Sequence, residues 1–156
     1  MTDLSIRPLH AEDAETLAAL FAAEPPDYLA HFHPFTFAAG PIRERITAAI
    51  HDRYWALIVD EELTGIFMLR GFDAGYTRPS FGVYVASRHA ARGLARLALQ
   101  FSLAWCRLNS VESVMLKVHP QNSAARRVYI DAGFISEGLC PNTGHEMFQW
   151  KSRRAR

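Results

Sequence analysis

Apolar and polar positions along this chain alternate between strand-like and helix-like spacing. Leu4 to Pro8 reads as a short strand. Residues 11 to 23 set Leu17, Leu20 and Phe21 on one helical face, with Glu12 and Asp13 in the first turn, where the helix dipole favours acids. Pro25-Pro26 stops that helix. Residues 27 to 40 are aromatic-rich without a clear period and read as a loop with at most one short helical turn. Pro41 to Ile50 is a second helix, its proline in the first turn, where the missing N–H does little harm.

Strands near 54–60 and 63–70 flank Asp60-Glu61-Glu62 as a hairpin, and a loop over 71–79 leads to a strand at 80–86. Residues 93–107 are apolar nearly all round, broken only by Arg96, Gln100, Ser102 and Arg107, so this helix is expected to be mostly buried against a sheet. A strand at 113–119, a helix at 122–132 and strands at 134–140 and 145–151 complete the order βααβββαβαββ. That order implies one α/β (α+β) domain over residues 1–150, a mixed, mostly antiparallel sheet with helices on both faces. Residues 151–156 form a basic, solvated tail.

Composition narrows the function. A chain of 156 residues, 49% apolar and 21% charged, is ordinary for one soluble globular domain. The net charge of +1 offers no global field for nucleic acid or for an anionic membrane. Cys106 and Cys140 form no metal or disulfide pattern, and no secretion signal or membrane-spanning apolar run is present, which points to the cytoplasm. A homodimer stays open.

Two stretches carry candidate chemistry. Phe81-Gly82-Val83-Tyr84-Val85 is a strand, Ala86 to Arg92 a basic turn, and Gly93-Leu94-Ala95 opens a long helix. Such a turn aims backbone N–H groups and the positive end of the helix dipole at one point, where an anion binds, and Arg88 and Arg92 add full charges. The second stretch, Val114 to Phe134, reads as strand, helix capped by Asn122 or Ser123, glycine stop at Gly133 and a new strand.

In this order and spacing the two stretches resemble the GCN5-related N-acetyltransferase (GNAT) family over roughly residues 4 to 150. The family's acyl-CoA loop, Gln/Arg-x-x-Gly-x-Gly/Ala, is matched at Gly93 and Ala95, with Ala90 at its leading position. The next motif, strand–Asn-x-x-Ala-x-x-x-Tyr-x-x-x-Gly-Phe, is matched at Asn122, Ala125, Tyr129, Gly133 and Phe134. The resemblance implies acetyl-CoA as co-substrate, held by Arg88, Ala90, Arg92, Gly93, Leu94, Ala95 and Asn122 and by the backbone of Val83 and Val85. It implies that Tyr129 protonates the departing thiolate, a task suited to a phenol that keeps its proton at neutral pH.

The family's places for a basic carboxylate hold Pro79-Ser80-Phe81-Gly82 and Leu116-Lys117-Val118, so His119 at the end of the fifth strand is the expected base, Asp73 the fallback and ordered water the remaining option. His31-x-His33 lacks a third ligand nearby, so no metal is expected. With Tyr28, Phe32, Phe35 and Phe37 that segment forms either an acceptor-side wall or an apolar flap over the core. His31, His33, Phe35, Asp73 and Tyr76 are the acceptor-side candidates. The expected reaction is direct attack of a small-molecule primary amine on acetyl-CoA in a ternary complex, an amino sugar carried on a nucleotide being the favoured acceptor. Acetylation of a protein N-terminus or lysine is the second reading, and a non-catalytic acyl-CoA-binding or sensing domain the third.

Overall fold

One seven-stranded sheet is built from β1 (Leu4–Pro8), β2 (Arg53–Val59), β3 (Glu62–Arg70), β4 (Ser80–Val85), β5 (Ser113–Val118), β6 (Ile135–Leu139) and β7 (Glu146–Lys151). The computed structural model describes residues 1–32 and 34–153. Strand order is β1-β2-β3-β4-β5-β7-β6, and every pair is antiparallel except β4–β5. The β2–β3 hairpin turns through Asp60 and Glu61 at φ 49° and 68°, as a two-residue turn that follows strand twist requires.

Among the described residues four α-helices cover the sheet: α1 (Ala14–Ala23), α2 (Ala39–Ala48), α3 (Leu94–Leu108) and α4 (Ser123–Asp131). Alternation along β3 divides the core, because successive side chains leave opposite faces. Phe67 and Leu69 join Leu94, Leu99 and Leu103 of α3, while Ile66 and Met68 join Leu17, Phe21 and Ile42 of α1 and α2. The same alternation puts Val114, Leu116 and Val118 of β5 on the α3 side.

Three expectations change in detail. Helix α3 is amphipathic rather than buried all round: Leu94, Ala98, Leu99, Leu103 and Cys106 face the core, and Leu97 and Leu108 face solvent. Helix α2 starts at Ala39, two residues before Pro41, so the proline still lies in the first turn, where no helical partner awaits its nitrogen. Lys151 closes β7 instead of opening a tail, and Ser152 N–H donates to the Glu112 carbonyl at 2.7 Å. Residues 154–156 of that tail lie outside the described residues.

Candidate active site

The site begins where the sheet stops pairing. Strands β4 and β5 are parallel partners only at Ser80 and Met115, with Met115 N–H donating to the Pro79 carbonyl at 2.9 Å. Past that point they diverge. Ala86 N–H donates to Thr64 on the β3 side at 2.8 Å, so the even positions of β4 hydrogen-bond to β3. The odd positions, Val83 and Val85 among them, therefore turn their N–H and C=O groups into the gap. One of these groups is taken: the Tyr28 hydroxyl donates to the Val85 carbonyl at 2.5 Å.

The gap opens onto a backbone nest. Ala91 and Gly93 both have positive φ, 60° and 86°, on either side of Arg92. The first helical bond of α3 runs from Leu97 N–H to the Gly93 carbonyl, so the N–H groups of Leu94, Ala95 and Arg96 lack helical partners. A nest of amides at a helix N-terminus fits a pyrophosphate. Nothing lies within 4 Å of where a Gly93 side chain would begin, so it is the left-handed φ and the approach of a ligand that favour glycine there. Arg88 pairs with Glu62 at 3.2 Å, whereas Arg92 makes no ion pair among the described residues. Of the two candidate phosphate cations, Arg92 is the one left available.

Tyr129 packs from α4 against the α3 side of the sheet, beside Phe81 of β4. The Asn122 side chain caps that helix by accepting from Ala125 N–H at 3.2 Å. Its far end is closed by Phe134 N–H on the Tyr129 carbonyl and Gly133 N–H on the Ile130 carbonyl, both 3.0 Å, with Gly133 at φ 95°. The Tyr129 ring meets Phe81 of β4 and Phe134 edge-on, at 6.4 and 5.9 Å between centroids. Burial pushes its phenol up to about 12, so it keeps its proton at neutral pH.

On the opposite face of the sheet stand the imidazoles. His119 follows β5, and its Nδ1 accepts Gln121 N–H at 3.2 Å. His31 stacks on that ring at 4.0 Å and 25°, and His145, just before β7, is edge-on to both at 5.7 and 6.0 Å. His145 was missing from the sequence candidates because no spacing links it to His31 or His119; only the chain fold joins the three segments. His33 lies outside the described residues. Among those described, no group of three His, Cys, Asp or Glu side chains is arranged to hold a metal ion.

Other candidates are placed elsewhere. Asp73 accepts the N–H groups of Ile50, His51 and Asp52 at 3.0, 2.7 and 3.2 Å, which holds its carboxyl below the usual range. With Tyr76 it belongs to the loop before β4, at the end where β4 and β5 are still joined, beside an open cleft of about 740 Å³ lined by Tyr76, Phe72 and Trp105. That end is separated from the Gly93 turn by the length of β4, so the structure does not bring Asp73 or Tyr76 to the gap. Phe35 rests on Tyr54 of β2, with 6.5 Å between ring centroids. Cys106 is buried in α3 and its thiol is pushed up to about 12, which makes it a poor nucleophile. Cys140, which carries no motif, has its thiol lowered to about 7 by the Thr143 hydroxyl and the backbone N–H groups of the turn before β7.

The chain matches the acetyltransferase (GNAT) domain over residues 3–135. It belongs to the GNAT family. As a member it is an acetyl-CoA-dependent N-acetyltransferase. Its fold is similar to that of the ribosomal-protein-S5-alanine acetyltransferase from Vibrio fischeri, at 18% identity and TM-score 0.78, covering 95% of this chain and 92% of that one. The PaiA N-acetyltransferase from Thermoplasma acidophilum, solved with coenzyme A, is 16% identical with TM-score 0.78, covering 96% and 99%. Mycobacterium smegmatis RimJ, solved with CoA-disulfide, is 19% identical with TM-score 0.76, covering 96% and 82%. Among curated proteins no sequence match is found. No helix among the described residues is long and apolar enough to cross a membrane.

Proposed function

We propose that this acetyltransferase acts on the primary amine of a small molecule, an amino sugar carried on a nucleotide being the favoured candidate. The observation that carries this reading is the closed acceptor face. The segment after α1 folds down on β4 through Tyr28, Phe32 packs on Tyr84 at 5.9 Å, and the three imidazoles cross the end of β5. A face covered by rings and a few polar atoms suits a compact acceptor better than an extended peptide.

In the proposed reaction the neutral amine attacks the thioester carbon, the C–N bond forms and the C–S bond breaks. The Tyr129 phenol gives its proton to the departing thiolate, and the Val83 N–H faces the oxygen on which charge develops. The ammonium proton leaves to water, because the Nδ1 lone pair of His119 is already engaged by Gln121 N–H. An amine flanked by electron-withdrawing oxygens loses that proton without a strong base.

The second reading is acetylation of a protein N-terminus, favoured by fold likeness to the ribosomal-protein-S5-alanine acetyltransferase. Released thiol is measured with acetyl-CoA and three acceptor sets: nucleotide amino sugars, polyamines and peptides. Turnover with small amines supports the proposal, and turnover confined to peptides replaces it with the second reading.

A further inference from the structure

We propose that the His31–His119–His145 cluster is an acceptor subsite for an anionic oxygen group, a carboxylate or a phosphate, carried near the amine. This inference rests on the small-molecule reading and specifies the class of acceptor.

The first support is the bonding of His119. A neutral imidazole has one lone pair and one N–H. The lone pair at Nδ1 receives Gln121 N–H at 3.2 Å, so the proton lies on Nε2 and the ring can offer its remaining nitrogen only as a donor. A base at that nitrogen would first have to give up the Gln121 bond. A donor needs no change. The groups such a donor accepts as partner are oxygens, and charged oxygens most strongly.

The second support is convergence. His31 comes from the segment before α2, His119 from the end of β5 and His145 from the turn before β7. Their rings lie within 4.0 to 6.0 Å of one another on the acceptor face, opposite the side from which Tyr129 enters. Neither His31 nor His119 has a carboxylate within ion-pair distance among the described residues. An anion placed among the three rings is held by charge-assisted bonds from the N–H groups they offer.

The charged and titratable groups on the neighbouring elements fit the same sign. Lys117 on β5 is exposed, and it is close enough to Cys140 to help lower that thiol. Glu146 at the start of β7 is held by Arg126 at 2.6 Å and by the Ser136 hydroxyl at 2.7 Å. Asp27 lies in the turn at Pro26–Leu29 and makes no ion pair among the described residues.

The test compares acceptors that share an amine and differ in one anion: an amino sugar against its 1-phosphate, and an amino acid against its amide. The anionic member should have a kcat/KM at least tenfold higher, mostly through KM. His119→Gln should bring the ratio of anionic to neutral kcat/KM near one while leaving the KM for acetyl-CoA unchanged. Whether phosphate or carboxylate gives the larger ratio identifies the source of the anion. Equal turnover of both members, or a preference that survives His119→Gln and His31→Gln, overturns the inference and leaves the small-molecule reading intact. If only peptides are acetylated, that reading fails, and the same ratio between peptides differing by one acidic side chain decides the inference.

Discussion

The Tyr28 hydroxyl donates to the Val85 carbonyl at 2.5 Å, at the gap between β4 and β5 that we propose takes the pantetheine arm of acetyl-CoA. Four residues earlier, Glu24 accepts the Ser87 N–H and hydroxyl at 3.1 and 3.0 Å, beside the phosphate turn. One segment thus holds the C-terminal end of β4 at two points. Replacing a competing bond costs the co-substrate about one hydrogen bond. Tyr28→Phe should therefore tighten CoA binding about three- to tenfold by calorimetry. Weaker binding would mean that the hydroxyl contacts the co-substrate instead of competing with it.

Gly93 has φ 86° at the start of α3, beside open space. Gly93→Glu strains the turn and puts a carboxylate where phosphates bind, so CoA affinity should fall by at least about a hundredfold, from backbone strain and like charge together. The thermal midpoint should change far less than the affinity. Unchanged CoA titration would move the phosphate site elsewhere.

Arg92→Ala should raise the acetyl-CoA KM about tenfold at physiological salt, the scale of one charge-assisted phosphate contact. Arg88→Ala should have a smaller effect, because its guanidinium is paired with Glu62 at 3.2 Å. Steady-state kinetics at two salt concentrations separates them. The reverse order would show that Arg88 abandons Glu62 for the ligand.

Asp73 ties the loop before β4 to the residues after α2 through three backbone N–H groups. Its carboxyl is lowered in the folded state, chiefly by His51 N–H, so its stabilisation is present above the ordinary carboxylate value and is lost as pH falls through the folded one. Asp73→Ala should lower the thermal midpoint at neutral pH, with the deficit shrinking below about pH 4. The pH–rate profile of the variant should match the wild type. Loss of an acidic limb in kcat/KM would restore Asp73 as a base.

Elements were legible where local pattern decides them. Asn122 and Gly133 mark both ends of α4, and the structure uses both: one as a side-chain cap, the other in a left-handed turn. The turn before α3 and the helix α4 also follow the family pattern, which Gly93 and Tyr129 match. What the sequence hid are contacts between distant segments. Glu24 and Ser87 are 63 positions apart and Tyr28 and Val85 57, with no spacing rule to connect them. Asp73 looked like free chemistry because nothing in its neighbours shows that the residues after α2 bring three amides to it. The bond that His119 Nδ1 accepts was hidden for the same reason, since it depends on the turn made by Pro120 and Gln121.

The most direct measurement is kcat of Tyr129→Phe, with an acceptor known to be turned over and under conditions where chemistry limits the rate. The ring stays, so its edge-on contacts with Phe81 and Phe134 and the affinity for CoA should persist. With the wild-type phenol pushed up to about 12, no alkaline fall in kcat from this residue is expected below about pH 10. The account predicts a kcat lower by about 10²–10⁴ with CoA affinity unchanged. A variant with near wild-type kcat would contradict it and show that another group protonates the thiolate.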